Sequence, residues 1–183
     1  MLDERALVEG CRKQNRAMQR QLYERFAGKL FVVCKRYTKD ADDAEDVLQD
    51  AFVKIFRHID SFRFESPLEV WLKRIVINTA LKHIRKQKPW EHTTDVEEVA
   101  ATLSQADESL PTLNYQYLLQ LIQELPPGCR TVFNLYAIEG YSHPEIAEML
   151  DISEGTSKSQ FSRARFLLQQ KLQNEQRVRD ESV

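Results

Sequence analysis

The stretch that decides the fold runs from Tyr141 to Leu172 and reads YSHPEIAEMLDISEGTSKSQFSRARFLLQQKL. Near its start, Ser142 is followed three positions later by Glu145, a capping box in which each side chain satisfies a backbone N–H of the other residue. A short apolar face then predicts one helix, and Ser153 is placed to cap a second, longer helix. Two helices joined by a short turn predict a helix-turn-helix.

The second helix of this motif has an apolar face and an opposite face that is polar and basic. The polar face is suited to the major groove of DNA. An ordinary helical hairpin with a solvated face is the alternative. Small side chains at the helix start count against that alternative, because they let backbone N–H groups approach a phosphate. The candidate DNA-contacting residues are Thr156, Lys158, Ser159, Ser162 and Arg163.

The composition predicts enough apolar residues for a core but no overall attraction to nucleic acid. Hydrophobic residues make up 42% of the chain, charged residues make up 30%, and the formal net charge is −2. Any DNA contact must therefore come from local segregation of charge. No apolar run approaches a membrane span, and the acidic N-terminus does not resemble a signal peptide. We expect a cytoplasmic protein without membrane insertion.

The residue pattern indicates neither a metal site, nor a cofactor, nor catalysis. The three cysteines, Cys11, Cys34 and Cys129, lie far apart without CxxC spacing and are predicted to be buried thiols. The four histidines are not spaced as in a metal site or a catalytic triad. Glycine-rich phosphate loops, HExxH and GxSxG are missing from the sequence. We therefore expect no metal, no cofactor and no enzymatic activity.

The first helical stretch covers residues 5–37 and includes Gly28, where we expect a kink or a close helix contact. A cluster of acidic residues follows this stretch. The first acids of the cluster suit the positive end of a helix dipole. Asp46, Gln49 and Asp50 share the exposed side of that helix. They form either a solvated face or a docking face for a basic partner, and the charge pattern alone favours the solvated face.

A loop and a helix with an unusual stripe come next. The loop contains Phe62, Arg63 and Phe64, and the helix that follows is apolar over most of its circumference, so it is predicted to be largely buried. At about 100° per residue, its polar positions fall within one narrow stripe. Cations there can neutralise phosphates, and an indole can stack on an exposed base. The alternative is a half-buried tryptophan in the core with solvating cations around it. The stripe residues are Trp71, Arg74, Asn78, Lys82 and Arg85.

Composition changes at Gln87 and divides the chain. From there to Thr112 the sequence has prolines at both ends, scattered acids and poor periodicity, which is typical of an interdomain linker. Helical patterns resume at Leu113, and one of them is predicted to end at Gly140 as a C′ glycine. The fold class is therefore all-α, with two small helical domains joined by a linker. The predicted boundaries are 1–88, 89–112 for the acidic linker, 113–175, and 176–183 for a charged tail.

Three blocks of the sequence resemble the extracytoplasmic-function (ECF) group of bacterial RNA polymerase sigma factors, the members with only the second and fourth conserved regions. The blocks are DAEDVLQDAFVKIF (Asp43–Phe56), WLKRIVINTALKHIRK (Trp71–Lys86) and LPPGCRTVFNLYAIEGYSHPEIAEMLDISEGTSKSQFSRAR (Leu125–Arg165). Their order, their spacing and the acidic linker also match, so the resemblance covers nearly the whole chain. It implies a factor that directs core polymerase to specific promoters and promotes strand opening.

The resemblance also implies a role for each surface. Asp46, Gln49, Asp50 and Val53 would dock on the clamp helices of the polymerase beta-prime subunit, which overturns the preference for a solvated face. The 62–66 loop is similar to the segment that captures a flipped base of the −10 element, and the stripe would hold the non-template strand. The helix-turn-helix domain is similar to the reader of the −35 element and implies a contact with the beta flap. The linker is similar to the segment that threads the RNA channel.

The sequence departs from the family pattern inside the helix-turn-helix. Ser157 occupies a position that is usually aliphatic, Gln160 stands where a basic residue is common, and Asp151 replaces a frequent glycine in the turn. These departures bear on the −35 sequence that is read and on how tightly the recognition helix packs. The expected partners are core polymerase, promoter DNA and an anti-sigma factor, and we expect the DNA-contacting surfaces to be masked in the free protein.

Two other functions remain open. A stand-alone helix-turn-helix regulator would need a dimer seam to read a two-fold site, and the sequence contains no sustained heptad. A regulatory adaptor would bind polymerase or an anti-sigma factor but not DNA. Replacement of the stripe residues would separate the adaptor from a sigma factor, because only the sigma factor needs them.

Overall fold

The computed structural model describes residues 3–87 and 115–180 of the 183-residue chain. The chain divides into two compact units, Met1–Pro89 and Trp90–Val183. Both units are helical, and no strand occurs in the described ranges. The predicted all-α class with two helical domains is confirmed. The predicted acidic linker, 89–112, lies outside the described residues.

The N-terminal unit buries one side of each of its helices. The elements are α1 (Glu4–Arg12), α2 (Arg16–Tyr37), α3 (Ala41–His58), a 3-10 turn (Ile59–Ser61) and α4 (Leu68–Gln87). Helices α2, α3 and α4 pack against one another, and α1 packs on α2. Apolar positions recur every three or four residues along these helices, so burial follows from the sequence pattern. The core includes Leu22, Phe26, Leu30, Val47, Ala51, Ile55, Leu72, Val76 and Ala80.

Side-chain caps set where the helices of this unit begin. Asn15 Oδ1 accepts hydrogen bonds from the backbone N–H groups of the first turn of α2. Asp40 Oδ1 accepts a hydrogen bond of 2.9 Å from the backbone N of Asp43 at the start of α3. Each such cap stabilises its helix by about 1 kcal/mol. Asp42 and Asp43 also lie in the first turn of α3, where the helix dipole favours negative charge. Helix initiation thus explains the first acids of the cluster.

The C-terminal unit is arranged around its last helix. Its elements are α5 (Tyr115–Gln123), α6 (Pro127–Phe133), a π turn (Asn134–Ile138), α7 (His143–Leu150) and α8 (Glu154–Asp180). Helix α8 packs against α5, α6 and α7. Leu121, Leu125, Cys129, Ala164 and Leu168 form its buried cluster. Helix α8 continues to Asp180, so part of the segment predicted to be a tail is helical.

The helix-turn-helix forms with the predicted signals in place. Ser142 Oγ accepts from the backbone N of Glu145, and Glu145 Oε2 accepts from the backbone N of Ser142 at 2.8 Å, which completes the capping box. Ser153 Oγ accepts from the backbone N of Thr156 at 3.0 Å and caps α8. Gly140 has φ +80, as a C′ glycine requires. Asp151 has φ 57 in the turn, a left-handed value that favours glycine.

None of the helices in residues 3–87 and 115–180 combines the length and the apolar character needed to cross a bilayer.

Candidate nucleic-acid and polymerase interfaces

The stripe on α4 lies on the exposed side of a helix whose opposite face is buried, and Val70 on the same helix is also 55% exposed. Arg74, Asn78, Lys82 and Arg85 are exposed, while Trp71 is half-buried. The Trp71 ring lies 5.3 Å from the ring of Phe62, centre to centre. Neighbouring positions of α4, among them Leu72, Val76 and Ile77, are almost fully buried. The buried face fixes the rotation of the helix and therefore directs the four polar side chains to solvent.

The loop before α4 is held in an uncommon backbone conformation. Phe64 has φ +59, a left-handed value that bulky residues rarely adopt. Its ring lies 4.9 Å from the ring of Phe62. Phe62 itself is only 2% exposed, so in this structure its ring supports Phe64 and Trp71 and has no free face for a base. Arg63 is exposed. The DNA contacts of these residues stay predictions.

Two arginines that the sequence analysis did not single out touch this loop. Arg12 Nη2 donates hydrogen bonds to the backbone oxygens of Phe62 and Asp60. The guanidinium carbons of Arg5 and Arg12 lie 5.3 and 5.5 Å from the centre of the Phe64 ring. Arg12 is 50 positions from Phe62, and no local pattern signals a contact over that separation.

The predicted docking residues on α3 all reach the surface. Asp46, Gln49, Asp50 and Val53 are exposed, and Val53 has 53% of its surface accessible. The acidic pair therefore lies beside an exposed aliphatic side chain on one helix. Such a surface offers both charge and apolar area to a partner.

A groove between α2 and α3 adjoins this surface and was missed by the sequence analysis. Its apolar lining includes Tyr23, Phe31, Phe52, Val53 and Phe56. The rings of Tyr23 and Phe52 lie 4.7 Å apart, and Tyr23 is 46% exposed.

Gly28 lines the same groove, and a Cβ built there would meet no atom within 4 Å. The expectation of a close helix contact at this glycine is therefore wrong. Helix α2 runs without a break through the position, from Arg16 to Tyr37. The space above Gly28 instead belongs to the groove.

Helix α8, the second helix of the helix-turn-helix, presents several polar side chains whose positions are set by local hydrogen bonds and an ion pair. Lys158 Nζ lies 2.6 Å from Glu154 Oε1, one helical turn away. This ammonium group lowers the pKa of the Glu154 carboxyl through a hydrogen bond and through charge attraction. Ser159 Oγ donates to the backbone oxygen of Thr156 at 3.0 Å. Ser162 and Arg163 are exposed one turn further along.

The family departures on α8 are explained by contacts with neighbouring helices. Ser157 is fully buried, and its Oγ lies 2.9 Å from His143 Nδ1 of α7. The His143 ring stacks on Tyr136 with a centre-to-centre distance of 4.3 Å. Gln160 Oε1 accepts a hydrogen bond from the thiol of Cys129 at 3.0 Å and so faces α6. The contact between Ser157 and His143 thus joins α8 to α7 at a position where the resemblance leads us to expect an aliphatic side chain.

All three cysteines are buried free thiols, as predicted. Burial raises the pKa of Cys11 and Cys129, and it raises the pKa of Cys34 to about 12. The reactive thiolate form is therefore disfavoured at neutral pH.

Comparisons with known proteins agree on one family. Residues 22–89 match the family model Sigma-70 region 2, and residues 115–167 match Sigma-70, region 4. The chain is 31% identical to the ECF RNA polymerase sigma-E factor of Haemophilus influenzae, with 94% of this chain and 96% of the relative covered. It is 30% identical to the factor of the same name from Escherichia coli K12, with 94% and 95% covered.

Among solved structures, a similar chain is the sigma factor RpoE from Bartonella quintana, determined in complex with the anti-sigma factor NepR. The TM-score is 0.52 at 26% identity, and the match covers 84% of this chain and 96% of that one. The two helical units, the two matching regions and the full-length relatives lead to one conclusion. The chain belongs to the ECF family of sigma-70 RNA polymerase sigma factors.

Proposed function

We propose that this sigma factor directs core RNA polymerase to a subset of promoters and that it opens the −10 region with the stripe on α4. The exposed polar stripe on α4, opposite the face of the helix that packs in the core, supports this proposal best. Arg74, Lys82 and Arg85 can neutralise phosphates of one strand, and Trp71 can stack on a base beside them. Strand separation by this route requires no chemical step, since it stabilises bases that are already unpaired. We therefore propose no enzymatic activity.

The acidic face of α3 is proposed to dock on the clamp helices of the beta-prime subunit. Asp46, Gln49 and Asp50 are exposed and lie beyond the first turn, so helix initiation does not account for them. Val53 adds apolar area next to them. Residues 1–88 would thus form the domain that binds polymerase and the −10 element.

The C-terminal domain, proposed to span 113–175, would read the −35 element with α8 and contact the beta flap. Thr156, Lys158, Ser159, Ser162 and Arg163 are the proposed DNA-contacting residues. The linker, 89–112, would follow the RNA channel of the polymerase. Because core polymerase and promoters are in the cytoplasm, we propose that the protein acts there.

An anti-sigma factor is the third proposed partner. The structurally similar sigma factor of Bartonella quintana was determined with one bound. The groove between α2 and α3 and the adjoining acidic face offer exposed apolar and charged area on the described N-terminal unit. A partner covering that area would compete with polymerase.

Transcription in vitro tests the proposed function. Purified protein added to core polymerase on fragmented genomic DNA should produce transcripts that begin at a small set of distinct positions. Core polymerase alone is the control. The absence of any distinct start site would contradict the proposal. A specific gel shift by the protein without polymerase, undiminished by removal of residues 1–90, would instead favour a stand-alone regulator.

Arg163→Ala should weaken initiation at a promoter with a −35 element while it leaves polymerase binding intact. A base contact in the major groove contributes about 1–3 kcal/mol, so we expect a loss of roughly fivefold to a hundredfold. The readout is the transcript yield at a mapped promoter, compared with a promoter whose −35 element is scrambled. Arg165→Ala, on the same helix, is the matched control. Loss of polymerase affinity in the Arg163 variant would show that the surface is misassigned.

A further inference from the structure

Helix α1 holds the loop before α4 from outside the matched sigma region 2. The family match begins at residue 22, whereas Arg12 lies at the end of α1, which spans Glu4–Arg12. Arg12 Nη2 donates to the backbone oxygen of Phe62 and, at 3.4 Å, to that of Asp60. Arg12 Nη1 lies 2.7 Å from Glu9 Oε1, which fixes the other side of the guanidinium group. The arginine therefore ties two backbone carbonyls of the loop to a helix.

The Arg12 guanidinium group also contacts the Phe64 side chain of the loop. The guanidinium groups of Arg12 and Arg5 both lie within 6 Å of the Phe64 ring centre, which is the range of a cation–π contact. Phe64 has a positive φ, a conformation that persists only where surrounding contacts hold it. Since Phe62 connects Phe64 to Trp71 by ring contacts of 4.9 and 5.3 Å, the position of the loop also bears on the stripe.

We propose that Arg12 is a positioning residue for base recognition in the −10 element. It holds the Phe62 carbonyl and the Phe64 ring in the arrangement that receives the flipped base, and Arg5 supports the same ring. This inference rests on the proposed opening of the −10 region and on capture of a flipped base by the 62–66 loop, which the family resemblance implies. Its physical content is preorganisation: a loop that is already ordered loses less entropy when a base enters, and it rejects bases that do not fit. A loosened loop would bind all four bases weakly and nearly equally.

The planar guanidinium group explains why arginine is better suited to this position than lysine. This group can donate to two carbonyls and stack on a ring at once, whereas a lysine ammonium can replace only part of this arrangement. Arg12→Lys should therefore behave between the wild type and Arg12→Ala. Arg5→Ala removes one ring contact only and should have the smallest effect of the three.

The test uses the full chain with core polymerase and one mapped promoter made in four versions that differ at the captured base. The rate of opening is followed with 2-aminopurine placed in the −10 region. For Arg12→Ala we expect opening at the preferred base to fall about tenfold to a hundredfold, as for a misplaced binding group. The rates for the other three bases should fall less, so that the discrimination ratio shrinks. Arg20→Ala, which breaks an exposed ion pair with Glu24 on α2, is the control.

Two further measurements distinguish positioning from loss of fold. Polymerase affinity and thermal unfolding are measured for each variant, and Arg12→Lys and Arg5→Ala provide milder changes if Arg12→Ala is unstable. If the opening rate fell equally for all four bases, so that the discrimination ratio between bases stayed unchanged in every variant, the inference would be overturned. The proposed sigma function would still stand. Failure of the wild-type protein to open any promoter would instead overturn the proposed function itself.

Discussion

Replacing Trp71, Arg74 and Lys82 together with alanine is expected to abolish promoter opening without reducing the affinity for core polymerase. Stacking of one base on an aromatic side chain contributes about 1–3 kcal/mol. The two cations add phosphate contacts, which are lost together with their counterion release. A combined loss on the order of 3–6 kcal/mol would lower the opening equilibrium by roughly a hundredfold to ten-thousandfold. The affinity for polymerase should persist because α3 is untouched.

The measurement is permanganate footprinting of the −10 region with saturating holoenzyme. Arg16 and Arg20 are exposed cations on α2, and their double replacement by alanine is the control for lost positive charge. A variant with alanine only at Arg74 and Lys82 keeps the ring contact between Trp71 and Phe62 and isolates the electrostatic part. Its opening should become less sensitive to salt than that of the wild type. Normal opening by the triple variant would favour the adaptor function.

The local features of this fold could be predicted from the sequence because their causes are local. The capping box of Ser142 and Glu145 needs only residues three positions apart. The stripe on α4 follows from helical periodicity once most other positions are apolar. The positive φ at Gly140 is likewise explained by a single residue. Each of these features depends on residues that lie within one or two helical turns of one another, so the local residue pattern is enough to predict it.

The contacts that shape the candidate sites could not be predicted in the same way. The bond from Arg12 to Phe62 joins residues 50 positions apart, and the bond between His143 and Ser157 joins two helices. Phe62 is buried and packs against Trp71, which the loop sequence alone does not indicate, and its contact with DNA stays a prediction. Each of these contacts depends on how different helices and loops pack against one another, and the residue periodicity of a single helix does not determine that packing. For the same reason the groove beside Gly28 was missed.

Reversal of charge at Asp46 and Asp50 to lysine is expected to lower the affinity for core polymerase by at least tenfold. Close charge pairs at interfaces contribute about 1.5 kcal/mol or more each, and the reversed charges would repel a basic partner. Both side chains are exposed, so the free energy of unfolding should change by no more than about 0.5 kcal/mol per site. The two effects are measured by fluorescence-detected titration with core polymerase and by thermal unfolding.

Graded variants decide whether charge is the cause. Asp46→Asn and Asp50→Asn remove the negative charges without adding positive ones, so they should weaken binding less than the lysine variants do. Wild-type affinity should fall as salt is added, and the affinity of the lysine double variant should depend on salt much less. Glu24→Lys, on the exposed side of α2, is the control for each single lysine variant, because each of these changes the charge by two units. Unchanged affinity in the double lysine variant would leave α3 with a solvated acidic face, the alternative that its charge pattern alone favours. Polymerase docking would then have to depend on the apolar groove beside it.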